Sequence, residues 1–216
     1  MKVSSLLLAL LLISACGKKE KEQECDMVCE AGEFTLPLTG EGEVPPEALR
    51  FETNLSLLNF NTQQADKVHS AADLIKKVIA SNEFKEAVLN HTYLGKKTFA
   101  DNNGLTNLQI YHRVLIGAEQ LYSAKNSIMD VELELYYENT STIGYTYPST
   151  PRIWMNTKFF NSYTPSQVSA NLMHEWLHKL GFGHAVSSTP ERPYTVPYAI
   201  GYMVRNLAQN FIQPQE

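Results

Sequence analysis

The chain has 216 residues, of which 44% are hydrophobic, 19% charged and 10% aromatic. These proportions are those of ordinary globular proteins, so they exclude a collagenous, coiled-coil or wholly disordered chain and suit one compact domain in a monomer. The formal net charge of -5, from 18 Lys and Arg against 23 Asp and Glu, provides no basic surface for nucleic acid. Because all three cysteines precede residue 30, the core must form by apolar packing rather than around disulfides or cysteine-bound zinc.

The N-terminal residues have the features of a secretory signal peptide. Lys2 provides a positive charge, an unbroken apolar run follows at residues 6–13, and small residues come next. The run is shorter than the roughly 20 apolar residues that a membrane-spanning helix needs. We therefore predict that residues 1–15 are removed from the mature chain.

The segment Ile13-Ser14-Ala15-Cys16 resembles the lipobox of bacterial lipoproteins, in which small residues precede an obligatory cysteine. The resemblance implies that Cys16 becomes the lipidated first residue of the mature protein and anchors it to a membrane of the bacterial envelope. Gly17, in place of an aspartate, is similar to the residue found in lipoproteins that are transported on to the outer membrane. The alternative is an ordinary secretory signal with an incidental cysteine, because small residues also suit the usual cleavage site.

Residues 16–47 have the composition of a flexible tether. Residues 17–24 contain no apolar side chain, and residues 32–46 are interrupted by glycines and prolines. Such a segment has little to bury and is expected to stay solvated. The folded domain is therefore predicted to span residues 48–216.

Two cysteines lie within the tether. Cys25 and Cys29 are four residues apart in an exported chain, where oxidation is favoured. A helical turn would place their Cα atoms near the upper limit for a disulfide. A local disulfide and two free thiols both remain open.

The first part of the domain is predicted to contain one strand and two helices. Residues 51–60 alternate partly between apolar and polar side chains, which is typical of a strand. Apolar residues recur at helical spacing over residues 63–90, which predicts one long amphipathic helix, and again over residues 105–122. The polar cluster at residues 101–104 is typical of a turn.

Three strands are predicted next along the chain. Residues 131–136 alternate apolar and acidic side chains, residues 142–147 are rich in β-branched and aromatic types, and residues 152–160 carry a central apolar group. Polar turns separate them, which favours an antiparallel meander. Together with the helices before and after it, this sheet predicts an α+β fold.

A well-delimited helix is predicted from Pro165 to about Leu180. Thr164 is a suitable N-cap, Pro165 occupies the first turn without loss of a hydrogen bond, and Gln167 completes a capping box. One face of the helix is apolar and is expected to pack in the core. Gly181 follows, at the point where a helix commonly stops in a left-handed turn.

This helix carries the pattern His-Glu-x-x-His-x-x-Gly-x-x-His, which begins at His174. His174 and His178 are one helical turn apart on the same face, so both imidazoles can reach one metal ion. Glu175 is rotated by about 100° from His174, where its carboxylate can act on a metal-bound water. Gly181 lets the chain reverse, and His184 is then the candidate third ligand. The alternative is a helix with two solvated or core histidines.

The pattern resembles the active-site motif of the metzincin clan of zinc metalloproteases, and the match covers residues 174–184. In that family the three histidines bind one catalytic zinc ion, and the glutamate serves as base and acid. The resemblance therefore implies His174, His178 and His184 as ligands and Glu175 as the catalytic residue. It also implies a metzincin-like mixed sheet with long helices, and a very small C-terminal subdomain after the active-site helix.

Residues after the motif extend the resemblance. Met203 is the candidate for the methionine turn that forms a floor beneath the metal in metzincins. The chain lacks the tyrosine found two positions after this methionine in the astacin and serralysin branches. Tyr194, Tyr198 and Tyr202 lie nearby, and Tyr198 and Tyr202 are candidates to support the oxyanion of the reaction. Packing is the alternative role for each tyrosine.

The resemblance implies an endopeptidase that hydrolyses an extended peptide or protein substrate with a zinc-activated water. In the clan an edge strand before the active-site helix pairs with the substrate, and residues 142–147 or 152–160 could provide it. A gluzincin site would need a glutamate ligand from a later helix, and Glu191 lies in a proline-rich stretch too close to the motif. The other function considered is a non-catalytic zinc-binding surface lipoprotein, structural or adhesive. Against it, closed structural zinc sites use four protein ligands.

Overall fold

The computed structural model describes residues 50–123 and 125–212. The expectations for the signal peptide, the lipidated Cys16, the tether and the pair Cys25 and Cys29 concern residues outside these ranges. Within them, no helix combines the length and the apolar character that a membrane-spanning segment needs.

The domain begins with a strand that leads into a helix. β1 (Glu52–Leu58) confirms the first predicted strand. α1 (Thr62–Ile79) starts after Asn61, whose side-chain oxygen accepts a hydrogen bond from the N–H of Gln64 at 2.9 Å. The Gln64 side chain accepts one from the N–H of Asn61 in return, which completes a capping box.

The segment predicted as one helix at residues 63–90 forms two, α1 and α2 (Asn82–Leu89). The hydroxyl of Ser81 accepts a hydrogen bond from the N–H of Phe84 at 3.2 Å, so Ser81 is the N-cap of a second helix. The apolar spacing continues across the break, because both helices bury apolar side chains in the same core. For this reason the spacing by itself does not reveal the break.

α3 (Asn107–Leu115) is shorter than the predicted helical segment at residues 105–122. Gly117 follows it in a left-handed conformation with a φ of 60°, and a Cβ atom there would lie 2.6 Å from the carbonyl oxygen of Ile128. Glycine, which has no Cβ atom and adopts a positive φ readily, suits this position. The left-handed conformation ends the helix and directs the chain towards the sheet. The predicted turn at residues 101–104 is confirmed.

The described part of the chain contains one sheet, with the strand order β1-β2-β4-β3. β2 (Ile128–Tyr136) pairs in parallel with β1 and with β4 (Arg152–Asn156). β3 (Gly144–Thr146) pairs antiparallel with β4. The sheet is therefore mixed, and β3 forms one of its edges.

The prediction of an antiparallel meander was wrong, because β4 lies between β2 and β3. In the parallel register the guanidinium of Arg152 binds the carboxylates of Glu132 and Glu134, each at 2.8 Å. Cross-strand pairs of this kind favour one partner strand over another, and the apolar alternation within a strand does not encode that choice. The end of the third predicted strand also differs, since residues 157–160 form a short helix, α4 (Thr157–Phe160).

α5 (Pro165–Lys179) confirms the predicted helix and its capping box between Thr164 and Gln167. Its apolar face is buried in the core, with side chains that are at most 1% exposed at Val168, Leu172, Trp176 and Leu180. Gly181 follows with a φ of 88°, the left-handed stop that the sequence indicated.

After the motif the chain forms a 3-10 turn (Arg192–Tyr194), α6 (Val196–Ala208) and a second 3-10 turn (Gln209–Phe211). α6 packs along α5. Over the described ranges the fold is α+β, with a four-stranded mixed sheet and six α-helices.

Candidate metal centre

The three histidines of the motif lie together at the end of α5. The Nε2 atoms of His174 and His184 are 3.1 Å apart, and one ligand nitrogen from each of the three rings lies within 4.8 Å of the others. Nitrogens bound at about 2.0–2.1 Å to a tetrahedral zinc ion would be roughly 3.3 Å apart. His174, His178 and His184 could therefore hold a metal ion.

The other nitrogen of each ring is held by a backbone carbonyl. Each ring donates one hydrogen bond, from His174 to Pro197, from His178 to Phe182 at 2.7 Å and from His184 to Ala185 at 3.0 Å. A carbonyl oxygen only accepts, so the proton of each neutral ring is on this side. The Nε2 lone pairs of His174 and His184 then face each other. A cation between them removes the repulsion, so this donor set fits zinc.

Burial lowers the pKa of all three histidines. The pKa of His178 falls to about 4 and that of His174 falls well below its ordinary value, and in both cases neighbouring imidazoles add to the effect of burial. Burial also lowers the pKa of His184, against the opposing effect of its hydrogen bond to Ala185. Because metals bind neutral imidazole, the three rings are in the binding form at neutral pH.

Glu175 lies beside the first of these histidines and is only 5% exposed. Burial raises the pKa of its carboxyl to about 8, although the Lys179 ammonium and a hydrogen bond with Asn171 oppose the shift. A carboxyl whose pKa is near neutral can accept a proton and return it, as general acid–base catalysis requires. Asn171 is one turn before Glu175 on α5, and the sequence pattern did not single it out.

A cleft of about 960 Å³ opens over the histidines and Glu175. One wall is the segment 138–148, which includes β3, and the other wall comes from α6 and the residues that precede it. Of the two segments predicted as an edge strand, residues 142–147 contain the edge strand β3, whereas β4 at 152–156 is an inner strand. The cleft therefore runs between the β3 edge of the described sheet and α6.

On the side away from β4, β3 has backbone groups that pair with no other described strand. Ile143 accepts a hydrogen bond from the N–H of Asn156 at 2.9 Å, and Tyr145 is opposite Trp154 in the same register. In an antiparallel pair, alternate residues direct both backbone groups to the same side. The backbone groups of Gly144 therefore point away from β4, towards the cleft.

Tyr198 stands closest to the histidines among the candidate tyrosines. Its ring centroid is 4.5 Å from that of His174 and 4.8 Å from that of His184. Tyr202, one turn later, lines the cleft and is 48% exposed. Tyr194 instead packs against Tyr93, with ring centroids 5.4 Å apart.

The expectation of a methionine turn at Met203 was wrong. Met203 lies inside α6 and packs partly buried against the core. The apolar side chains of this segment recur at helical spacing and pack along α5, so the chain stays helical where a turn was expected. A Cβ atom added at Gly201 would lie 3.5 Å from the Cβ atom of His174, so α6 packs closely against this histidine. The ring of Tyr198, also on α6, contacts His174 and His184. The helix α6 therefore supports the histidines from one side.

Lys179 was not identified from the sequence, although it connects α5 to the edge strand. It is 4% exposed, and burial lowers its pKa to about 8. Its ammonium donates hydrogen bonds to carbonyl oxygens of Tyr147 and Thr150 in the β3–β4 turn, at 2.8 Å to Tyr147, and of Arg152 at the start of β4, at 3.0 Å. One feature of the sequence could have identified Lys179: it lies beside the apolar face of an amphipathic helix. A lysine at such a position is partly buried, and a buried charge needs polar partners.

No known protein-family model matches this chain, and a comparison with curated proteins finds no significant match. Fold and site together define an α+β protein with a three-histidine group that could hold a metal ion.

Proposed function

We propose that the protein is a zinc-dependent endopeptidase of the metzincin type. The observation that carries this proposal is the convergence of three imidazole nitrogens next to a buried carboxyl in an open cleft. Three protein ligands leave a coordination position for water or substrate, whereas structural zinc sites are closed by four. The order of the elements also supports a metzincin, since an antiparallel edge strand precedes the helix that carries the motif.

His174, His178 and His184 would hold the zinc ion through the nitrogens that face one another. When bound, zinc supplies a Lewis acid and lowers the pKa of a coordinated water to about 7. Glu175 accepts a proton from the attacking water and delivers it to the nitrogen of the leaving amine, so one carboxyl serves both transfers. The bond from water oxygen to carbonyl carbon forms, and the peptide C–N bond breaks.

We assign Tyr198 to stabilisation of the oxyanion, because its ring lies against His174 and His184. Burial raises the pKa of its phenol, so the hydroxyl keeps its proton at neutral pH and acts as a donor. Hydrogen bonds to the developing negative charge lower the barrier more than they stabilise the substrate. Tyr202 is farther from the histidines and more exposed, so we assign it to substrate contact.

The substrate is an extended peptide that adds to the edge strand β3. Backbone groups of Gly144 face the cleft, and an added strand would satisfy them without reading side chains. Lys179, one turn after Glu175 on α5, donates hydrogen bonds to Tyr147 and Arg152 and so links the helix that carries Glu175 to the segment after β3. The substrate backbone is thereby oriented before reaction, which is a large part of catalysis in a two-reactant step.

Metal removal tests the function directly. We expect the purified protein to contain one zinc ion per chain and to cut a peptide library, with both properties lost on chelation and restored by added zinc. Elemental analysis measures the metal, and mass spectrometry maps the cut sites. Cleavage that persists after complete removal of the metal would contradict the proposal, and zinc binding without any cleavage would favour a non-catalytic zinc-binding lipoprotein.

We also propose that the protein is a lipoprotein of the bacterial envelope, anchored through Cys16 at the outer membrane. The support is the lipobox-like segment that ends at Cys16 and the glycine that follows it. Cys16→Ser removes the thiol that would carry the lipid, so the variant should leave the membrane fraction or keep its signal peptide uncleaved. Fractionation and intact-mass measurement distinguish these results, and a Cys16→Ser protein that still carries acyl chains would overturn the assignment.

A further inference from the structure

The wall of the cleft on the side of α6 is cationic and aromatic. Tyr198, Tyr202 and Arg205 are spaced by four and three residues, so they share one face of α6, and Arg192 lies just before this helix. The carboxylates that line the cleft are that of Glu175, which the proposed mechanism uses, and that of Glu138 on the opposite wall. This arrangement leaves positive charge on the α6 side of the cleft.

Arg192 is the cation closest to the metal centre on this wall. Its guanidinium carbon is 4.8 Å from the ring centroid of Tyr198, the ring that contacts His174 and His184. Arg192 also lines the same cleft as the three histidines. Arg192 therefore stands beside the place where the scissile bond would lie.

The guanidinium of Arg192 is hydrogen-bonded to the Tyr198 side chain, and it still has a donor that no described residue uses. Its Nε atom is buried and has no hydrogen-bond partner, and no ion pair among the described residues includes Arg192 or Arg205. A buried donor without a partner is unfavourable unless a water or a ligand supplies the acceptor, and a ligand that does so gains a hydrogen bond. A carboxylate matches the planar fork of a guanidinium with two parallel hydrogen bonds.

We propose that Arg192 forms an anion-binding subsite beside the metal centre, and that the protein prefers peptides with an aspartate or glutamate close to the scissile bond. This inference rests on the proposed endopeptidase function. Arg205 is exposed on α6 and contributes less, because water screens exposed ion pairs. Substrate recognition in the cleft then has two parts. The edge strand forms hydrogen bonds with the substrate backbone, and the guanidinium binds one acidic side chain.

Paired peptides that differ only in Glu against Gln test the preference. With glutamate at each position around the cut site in turn, we expect one position at which kcat/KM for the Glu peptide exceeds that for the Gln peptide by about 10- to 100-fold, the usual size of a charge-assisted hydrogen bond. Arg192→Gln should bring this ratio close to one, and Arg192→Lys should leave it intermediate. Arg50→Gln is the matched control, since Arg50 is an exposed arginine that pairs with Glu52 at 2.6 Å, and it should keep the ratio.

Binding to the Glu175→Gln variant separates this inference from the proposed function. Calorimetry with the same peptides should show tighter binding of the Glu peptide, and the double variant with Arg192→Gln should lose the difference. If peptides are cleaved without any acidic preference, or if Arg192→Gln retains the preference, the subsite is wrong while the endopeptidase stands. If no peptide is cleaved but acidic peptides still bind through Arg192, the endopeptidase is wrong while the subsite stands.

Discussion

Glu175→Gln should leave zinc bound and reduce kcat by about 10⁴-fold. General acid–base groups contribute about 10²- to 10⁴-fold, and we expect the upper end because Glu175 serves both proton transfers. Glutamine keeps the volume and the helix, but its amide cannot accept a proton. In the metal-free protein the carboxyl is largely protonated at pH 7, since burial raises its pKa to about 8. Glutamine is then close in shape and charge to the protonated form, so the free energy of unfolding should change little.

Metal content, melting temperature and turnover are measured on the same preparation of this variant. Glu191→Gln is the matched control, because it makes the same change at an exposed carboxylate outside the motif and should alter none of the three. Loss of zinc from Glu175→Gln would make Glu175 a ligand or an essential support of the ligands. Full activity in Glu175→Gln would rule out the proposed mechanism and favour the non-catalytic lipoprotein.

His184→Ala should weaken zinc binding by more than about 100-fold. Loss of an outer partner of a metal ligand costs about 10- to 100-fold in affinity, and loss of one of three direct ligands should cost more. His184 follows the end of α5 and is not part of the buried core, so the metal-free variant should melt close to the metal-free wild type. Activity should fall with the fraction of protein that holds zinc.

Competition with a coloured chelator measures the zinc affinity, and circular dichroism in excess chelator measures the melting temperature. The control is His69→Ala, which removes an exposed histidine from α1 and should retain the wild-type affinity. If His184→Ala binds zinc as tightly as the wild type, the third ligand is a different residue. If its metal-free form is strongly destabilised, the role of His184 is structural as well.

Local features of the chain are those that the sequence predicted well. The capping box of Thr164 and Gln167, the helix that follows and the stop at Gly181 all depend on residues within one or two turns of each other. The spacing of His174 and His178 is of the same kind, because helix geometry places positions four apart on one face. Short-range backbone geometry determines such features, so they can be predicted without knowing the rest of the fold.

Long-range features could not be predicted in the same way. The apolar alternation of β2 and β4 is the same whether they pair in parallel or antiparallel, and the contact of Arg152 with Glu132 and Glu134 depends on which strands meet. Likewise, the break at Ser81 lies inside a continuous apolar pattern. Patterns of burial show which side chains face the core, but they do not show which elements face each other there.

The same division holds at the candidate site. The motif alone was enough to predict the residue types of the candidate metal centre, two histidines on one helical face and a carboxyl next to them. Three further features became visible in the fold: α6 lies against His174, Met203 is helical, and Lys179 binds the segment that follows β3. A side chain far along the chain reaches the site because the whole core packs in one way, and the spacing of residues within one segment carries no information about that packing.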